Sequence, residues 1–348
     1  MTMTPPLAPP SEGVGSATAA IAARAEGRRR LHGISPRTAF LIRRIGRLFV
    51  SLAVVVVASF FLVHLVPGDP VRAALGPSAT PELVAATRAQ LGLDQPLFTQ
   101  FVNYVTGLLT GDLGTSVRLH RPVGDVLAQR FPTTLLLAVL AFVIAVVGAI
   151  PAGIGAAVLA RSGRRRGLSL ALSGVLGVII AVPSFLLAVG LIALFAVQLG
   201  WLPAAGWGAP RDAILPVITL ALGPMAYLVR IVQVEMLAVL DTTYMTTARA
   251  KRLPRRLIYL RHALPNTITA SLTVGGLILA GLTAATVLVE TVFAIPGLGT
   301  VMVSSVGAKD YPMVQGVVIV FALIVLGVNL VVDVVLATID PRSSITEG

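Results

Sequence analysis

Long apolar runs alternate with short polar ones along almost the whole chain. Six runs stand out, at about residues 48–66, 134–159, 168–199, 214–237, 268–289 and 313–337. A bilayer core of ~30 Å takes about 20 mostly apolar residues in helical form. Each run meets that length, and the pattern predicts an all-α, polytopic membrane protein with six transmembrane helices. The third run is long and holds Pro183. A proline inside a helix removes a donor and clashes with the preceding turn, so a kink or break is expected there. Membrane helices tolerate such breaks where neighbours satisfy the freed carbonyl.

The polar stretches differ in length and character. Residues 67–132 are enough for a small external helical lobe. Within it PELVAATRAQLGL reads as a helix, with Thr80 as N-cap, Pro81 at the first helical position and Glu82 in the first turn. A second helix is expected over residues 97–109, ending near Gly111. The first ~40 residues are rich in Pro, Ala, Gly, Ser and Arg and lack an apolar stripe, which predicts a flexible tail rather than a signal peptide. The expected organisation is a tail (1–41), a first span with its lobe (42–132), a five-helix core (133–342) holding a polar loop at 241–266, and a short tail (343–348).

Composition narrows the class. Of 348 residues 56% are apolar and only 12% charged, against about 25% charged in soluble domains. The formal net charge of +12 does not point to nucleic acid, because the cations gather at the ends of apolar runs, as the positive-inside rule requires. Arg24, Arg28, Arg29, Arg30, Arg37, Arg43, Arg44 and Arg47 precede the first run, and Arg161, Arg164, Arg165 and Arg166 separate the second from the third. The alternate polar regions are near charge balance or sparsely charged. Both termini and every second loop are therefore expected on the cytoplasmic side of a plasma (inner) membrane. There is no cysteine, and the four histidines (His32, His64, His120, His262) lack metal-ligand spacing.

Residues 244–266, YMTTARAKRLPRRLIYLRHALPN, form the most basic loop between two spans. It carries Arg249, Lys251, Arg252, Arg255, Arg256 and Arg261, and no acid. Such a segment can present Leu253, Leu257 and Leu260 to an apolar groove while its arginines meet acidic rims. Read without other context, the same arginines serve equally to fix topology or meet anionic lipid heads. The chain has no G-x-x-x-x-G-K-S/T phosphate loop and no H-E-x-x-H, so it is expected neither to bind ATP nor to act as an enzyme. A membrane serine protease built on Ser184 and His64 is a poor match.

The stretch TARAKRLPRRLIYLRHALPN resembles the cytoplasmic loop of permeases in bacterial binding-protein-dependent ABC importers. Ala248, Arg249, Ala250 and Lys251 match the pattern of the dipeptide/oligopeptide branch, as do Arg261, His262, Ala263, Leu264 and Asn266. The departure is Arg252, where the family has glycine, followed by Pro254. LVPGDPVRAALGPSAT, LGLDQPLFTQFVNYVTGLLTGDLGTSV, RFPTTLLLAV, ETVFAIPGLGTVMV, KDYPMVQGVVIV and NLVVDVVLATIDPR resemble the same branch in the same order, over about residues 42–342. The resemblance implies an ATP-driven importer for peptides, or alternatively for nickel or another small solute. It implies a second homologous permease, two cytoplasmic ATPase domains that bind and hydrolyse ATP, and an extracytoplasmic binding protein as partners, besides the bilayer. It also implies an ATPase-coupling role for Ala248, Arg249, Ala250, Lys251, Arg252, Leu253, Arg255, Arg256, Leu257, Arg261, His262, Leu264, Pro265 and Asn266.

Other residues carry smaller expectations. Glu290 and Asp333 lie near the ends of their spans, where capping or pairing with a loop donor is favoured over proton coupling. Asn329 is suited to an interhelical hydrogen bond. Residues 293–298, FAIPGL, form either a re-entrant piece or a buried turn, and residues 111–116, GDLGTS, are a candidate contact for the binding protein. An ion-driven secondary transporter is the rival class, and it lacks the buried midplane acids it needs.

Overall fold

The computed structural model of the chain describes residues 36–65, 70–76, 78–90, 92–161 and 166–339. Most of the expected N-terminal tail, residues 162–165 and the C-terminal tail lie outside these residues. Helix α1 is Pro36–Leu65; the lobe holds α2 (Pro70–Leu75), α3 (Pro81–Gln90) and α4 (Leu97–Thr110). The core holds α5 (Val123–Arg161), α6 (Arg166–Ala181), α7 (Ser184–Leu191, continued by π turns Ile192–Gln198) and α8 (Ile214–Leu240). It continues through α9 (Thr243–Ala250), α10 (Leu264–Val292), α11 (Leu298–Gly307) and α12 (Tyr311–Ile339). No strand occurs among the described residues.

Five helices are long and apolar enough to cross a membrane, and a sixth crossing is formed if α6 and α7 count as one span. These two meet at Val182–Pro183 with a bend of 105°, the break expected from a proline that cannot donate to the preceding turn. Packing follows the break. Leu176 of α6 clusters with Ala149, Ala226, Leu228 and Val229, while Ala188 of α7 clusters with Leu137, Ala141, Ala145 and Leu220. The pair thus lies beside α8, with α6 against its middle and α7 against its outer part.

Three observations define two ends. At one end Ala157, Met236, Leu240, Met245, Ile258 and Ala263 form a small core. At the same end the start of α1 and the close of α12 are joined by an ion pair between Arg44 and Asp333. At the other end Val123, Val126, Leu127, Leu298, Met313 and Val317 pack together. Both chain termini of the helical bundle therefore lie on the side that carries α9.

Close approach of helices rests on small residues. A Cβ at Gly153 of α5 would sit 2.6 Å from the Val232 side chain of α8, and one at Gly148 would sit 2.7 Å from Met225 Sδ. α5 begins eleven residues before the expected apolar run, because hydropathy marks the hydrocarbon slab and not the end of helical hydrogen bonding. Pro132 and Pro151 lie within it.

The second end is closed by a buried carboxylate. Glu290, fully buried near the end of α10, accepts hydrogen bonds from Thr134 Oγ1 (2.6 Å), from the Gly299 N–H (2.6 Å) and from the Thr300 N–H (3.4 Å). Thr134 Oγ1 in turn accepts from the Leu298 N–H at 2.8 Å. The first turn of α11 has orphan donors, and a carboxylate there satisfies them and complements the helix dipole. A Cβ at Gly297 would collide with the Glu290 carboxylate, and one at Gly299 with the backbone of Val287. Glu290 thus has the capping role expected of it. Phe293, Ile295 and Leu298 are buried, so residues 293–298 are a buried turn, with Ala294 at φ 52°.

The lobe is pinned at two places. Phe60 of α1 meets Phe101 of α4 edge-on at 5.2 Å, and Tyr104 Oη donates to Ser59 Oγ at 3.3 Å. Buried Asp310, just before α12, accepts from Ser116 Oγ and from the Val117 N–H at 3.2 Å. That contact fixes the hairpin around residues 111–122. Within the lobe, Thr80 caps α3 by accepting from the Leu83 N–H at 3.3 Å, and α4 ends in a left-handed Gly111 at φ 81°, as the turn chemistry of glycine predicts.

Candidate functional site, a basic hairpin

The loop after α8 folds as a helical hairpin. α8 closes at Asp241, whose carboxylate pairs with Arg161 at 2.9 Å, tying the loop to the end of α5. Thr242 is extended (φ −73°, ψ 156°) and starts α9. α9 ends at Lys251 and Arg252, the latter at φ 53°. Pro254 then opens a helical turn, Arg255–Leu257, accepting from the Leu257 and Ile258 N–H groups at 2.9 and 3.2 Å. Residues Ile258–Ala263 are wound as π turns and lead into α10.

Two sets of contacts stiffen the hairpin. Its apolar inner side is buried: Met245, Ile258 and Ala263 pack against Ala157, Met236 and Leu240, with Leu253, Tyr259 and Leu264 at the margin, and Ala248 is buried too. Polar bonds close the open side. Asn266 Nδ2 donates to Tyr244 Oη at 2.9 Å and to the His262 carbonyl at 3.1 Å. The Arg249 guanidinium donates to the Leu240 carbonyl, one of the orphan acceptors at the end of α8. The hairpin is therefore fixed to the ends of both α8 and α10.

What remains outside is cationic. Arg249, Lys251, Arg252, Arg256 and Arg261 are exposed, as are Ala250, Pro265 and Asn266. The arginine side chain at 255 lies outside the described residues. No acidic side chain pairs with the exposed cations of the hairpin among the described residues. The apolar surface offered outward is Tyr244, 44% exposed, and Leu260, 50% exposed. Leu253 packs at the margin of the small core instead of joining Leu260. His262 and Leu257 are half-buried.

Arg252 deserves a physical account because it is not glycine. A left-handed backbone places Cβ against the following carbonyl, at a cost of roughly 1–2 kcal/mol for most residues. The turn is kept nonetheless: the Arg252 N–H bonds the Arg249 carbonyl at 2.9 Å, and Leu253 beyond it is anchored in the small core. Replacing Arg252 with glycine is expected to keep the turn and relieve the strain. Freer unfolded chains offset part of that, leaving a net gain of up to about 1 kcal/mol. Slower hydrogen exchange at residues 251–253 in Arg252→Gly is the expected result; faster exchange would show that the arginine side chain itself holds the turn.

Two groups that the sequence pattern did not single out stand out, one in this hairpin and one on the helix that leads into it. Tyr244 closes it, and its role was visible only once Asn266, 22 positions later, lay beside it. Arg230 sits within α8 on an uncovered face.

Residues 149–345 match the family described as the inner membrane component of binding-protein-dependent transport systems. Residues 37–138 match the N-terminal part of such membrane components. Among curated proteins, the glutathione transport system permease protein GsiC of Salmonella typhimurium is 40% identical over 303 residues, 87% of this chain and 97% of the relative. GsiC proteins of Escherichia coli and Shigella flexneri match at the same identity and coverage, 40%, 87% and 97%.

Proposed function

Since the chain belongs to the inner-membrane permeases of bacterial binding-protein-dependent ABC importers, in the peptide and glutathione branch, we propose that it carries a peptide-type solute inward using ATP hydrolysed by partner subunits. It forms half of the path, with a second related permease supplying the other half. Solute arrives from an extracytoplasmic binding protein.

The observation that carries this reading is the basic hairpin, stiffly joined to α8 and α10 and open to solvent on its cationic side. A surface of this kind fits an acidic-rimmed groove, in which Tyr244 and Leu260 supply apolar contact and the arginines supply orientation. Because the hairpin continues directly into two spanning helices, a push on it moves those helices. The chain carries no phosphate loop of its own, which is why the energy has to arrive through such a contact.

Orientation follows from charge. The end that bears the hairpin also bears Arg43, Arg44, Arg47, Arg161 and Arg166, so it faces the cytoplasm. The solute class rests on the branch, and the GsiC relatives support a small peptide-like molecule such as glutathione.

The test is uptake by the assembled transporter in proteoliposomes. ATP-dependent accumulation of labelled glutathione or a dipeptide is expected, with none of nickel. Uptake of nickel alone would refute the peptide class. Uptake driven by an ion gradient with the ATPase absent would refute the coupling.

A further inference from the structure

α8 is packed unevenly along its length. From Leu215 to Ala221 it is buried almost all round. Beyond Pro224 an uncovered stripe appears: Tyr227, Arg230, Val234 and Ala238 are exposed. Their spacing of three and four places them on one face. The opposite face, with Ala226, Val229, Val232 and Met236, is buried against the rest of the bundle.

Arg230 is the anomaly on that stripe. It lies about ten residues, roughly 15 Å, before the end of α8 at Leu240. It also lies seven residues before the end of the apolar run at 237, inside a helix long and apolar enough to cross a membrane. Charges inside membrane spans face a protein contact or a water-filled cavity rather than lipid, and they mark solute paths. No hydrogen bond or ion pair to Arg230 occurs among the described residues. Glu235, five residues on, is turned well away from the stripe. Tyr227, one turn before, adds a hydroxyl and an aromatic face to the same surface.

We propose that Arg230 lines the translocation path and binds a carboxylate there, that of the passing solute. Guanidinium suits this task because its planar fork meets a carboxylate through two parallel hydrogen bonds. In a narrow, partly desolvated path one such site holds the anion long enough to be orientated, while Tyr227 borders it. The identity of the carboxylate rests on the peptide reading above; the position of the guanidinium in the path does not. A carboxylate of the second permease has the same chemistry, and the test separates the two sources.

Two measurements on the assembled transporter in proteoliposomes decide it. The first compares uptake of dialanine with uptake of its C-terminal amide. Arg230→Gln is expected to raise KM for the free acid by about 10- to 100-fold, the loss of one charge-assisted pair, and to leave the amide unaffected. Arg230→Lys should retain part of the discrimination. Equal loss for both solutes, with the complex falling apart in gel filtration, would assign the arginine to a carboxylate of the partner permease and overturn the proposal. The second uses the absence of native cysteine. Arg230→Cys should react with a membrane-impermeant thiosulfonate during turnover, as a path-lining residue does. If the wild-type transporter imports neither solute, the peptide reading fails while a reactive cysteine still keeps Arg230 in the path. An unreactive cysteine overturns the proposal whatever the solute.

Discussion

Reversing two exposed charges of the hairpin, Arg256→Glu together with Arg261→Glu, is expected to abolish most ATP-driven uptake without unfolding the protein. Both side chains are exposed, and neither has an acidic partner in the chain among the described residues. Their loss therefore costs the isolated protein little, within about 0.5 kcal/mol as for other surface changes. At an interface the effect is different. Removing one partner of a charge pair there costs about 2–5 kcal/mol, and reversal adds like-charge repulsion. Even about 3 kcal/mol is a loss of more than 100-fold in affinity for an ATPase. Four cations remain in the loop, Arg249, Lys251, Arg252 and Arg255, so its sidedness should be kept. Co-purification of ATPase with the solubilised variant, read beside its thermal melt, checks the result. Undiminished co-purification would remove the coupling role from the hairpin.

The largest structural effect is expected at Glu290. Alanine there leaves Thr134 Oγ1 and the N–H groups of Gly299 and Thr300 without their acceptor in a dry site. Each unsatisfied buried group costs about 1–3 kcal/mol, so Glu290→Ala should destabilise the bundle by about 3 kcal/mol or more. Gln at 290 keeps one acceptor and turns an amide donor toward another donor, and should fall between. Gly299→Ala should be as damaging as Glu290→Ala, because its Cβ meets the backbone of Val287 as well as the carboxylate. The thermal midpoint of the solubilised protein and hydrogen exchange in residues 298–307 report these changes. Normal protection of α11 in Glu290→Ala would mean that the cap contributes nothing to that helix.

Much of this architecture was legible because hydropathy and turn chemistry are local. The six apolar runs correspond to α1, α5, the α6–α7 pair, α8, α10 and α12. Pro183 and Gly111 acted through their own backbones and Thr80 through a hydroxyl that reaches three residues on, and so the break, the helix end and the cap fell where their chemistry required. The basic loop was legible as well, since charge between two spans needs no fold to be seen.

The contacts that give the loop and the outer end their shape were not legible. Thr134 and Glu290 are 156 positions apart, and Ser116 and Asp310 are 194 apart. Either residue alone is an ordinary polar group at the end of an apolar run. Leu253 shows the same limit at short range. Its spacing put it beside Leu257 and Leu260 on an outward face, and the structure instead packs it at the margin of the small core. Arg252 is the reverse case. The backbone kept a left-handed turn although its residue does not favour one, because the anchored flanks outweigh a local preference of roughly 1–2 kcal/mol.

The uneven packing of α8 makes it a beam gripped all round at its outer end and on one face only below Pro224. Its outer portion, Leu215 to Ala221, is gripped on nearly all sides. Pro224 just below has no N–H to give the preceding turn, so the beam is softest next to its clamp. Its inner end is Leu240, packed against Ala157 of α5 and about 28 Å from Ala221, and Arg230 lies about 13 Å along. For a rod swinging about that clamp, displacement grows in proportion to distance. A shift of the inner end, taken together with the α5 face packed on it, would therefore reach Arg230 at roughly half its size and fade toward the outer end.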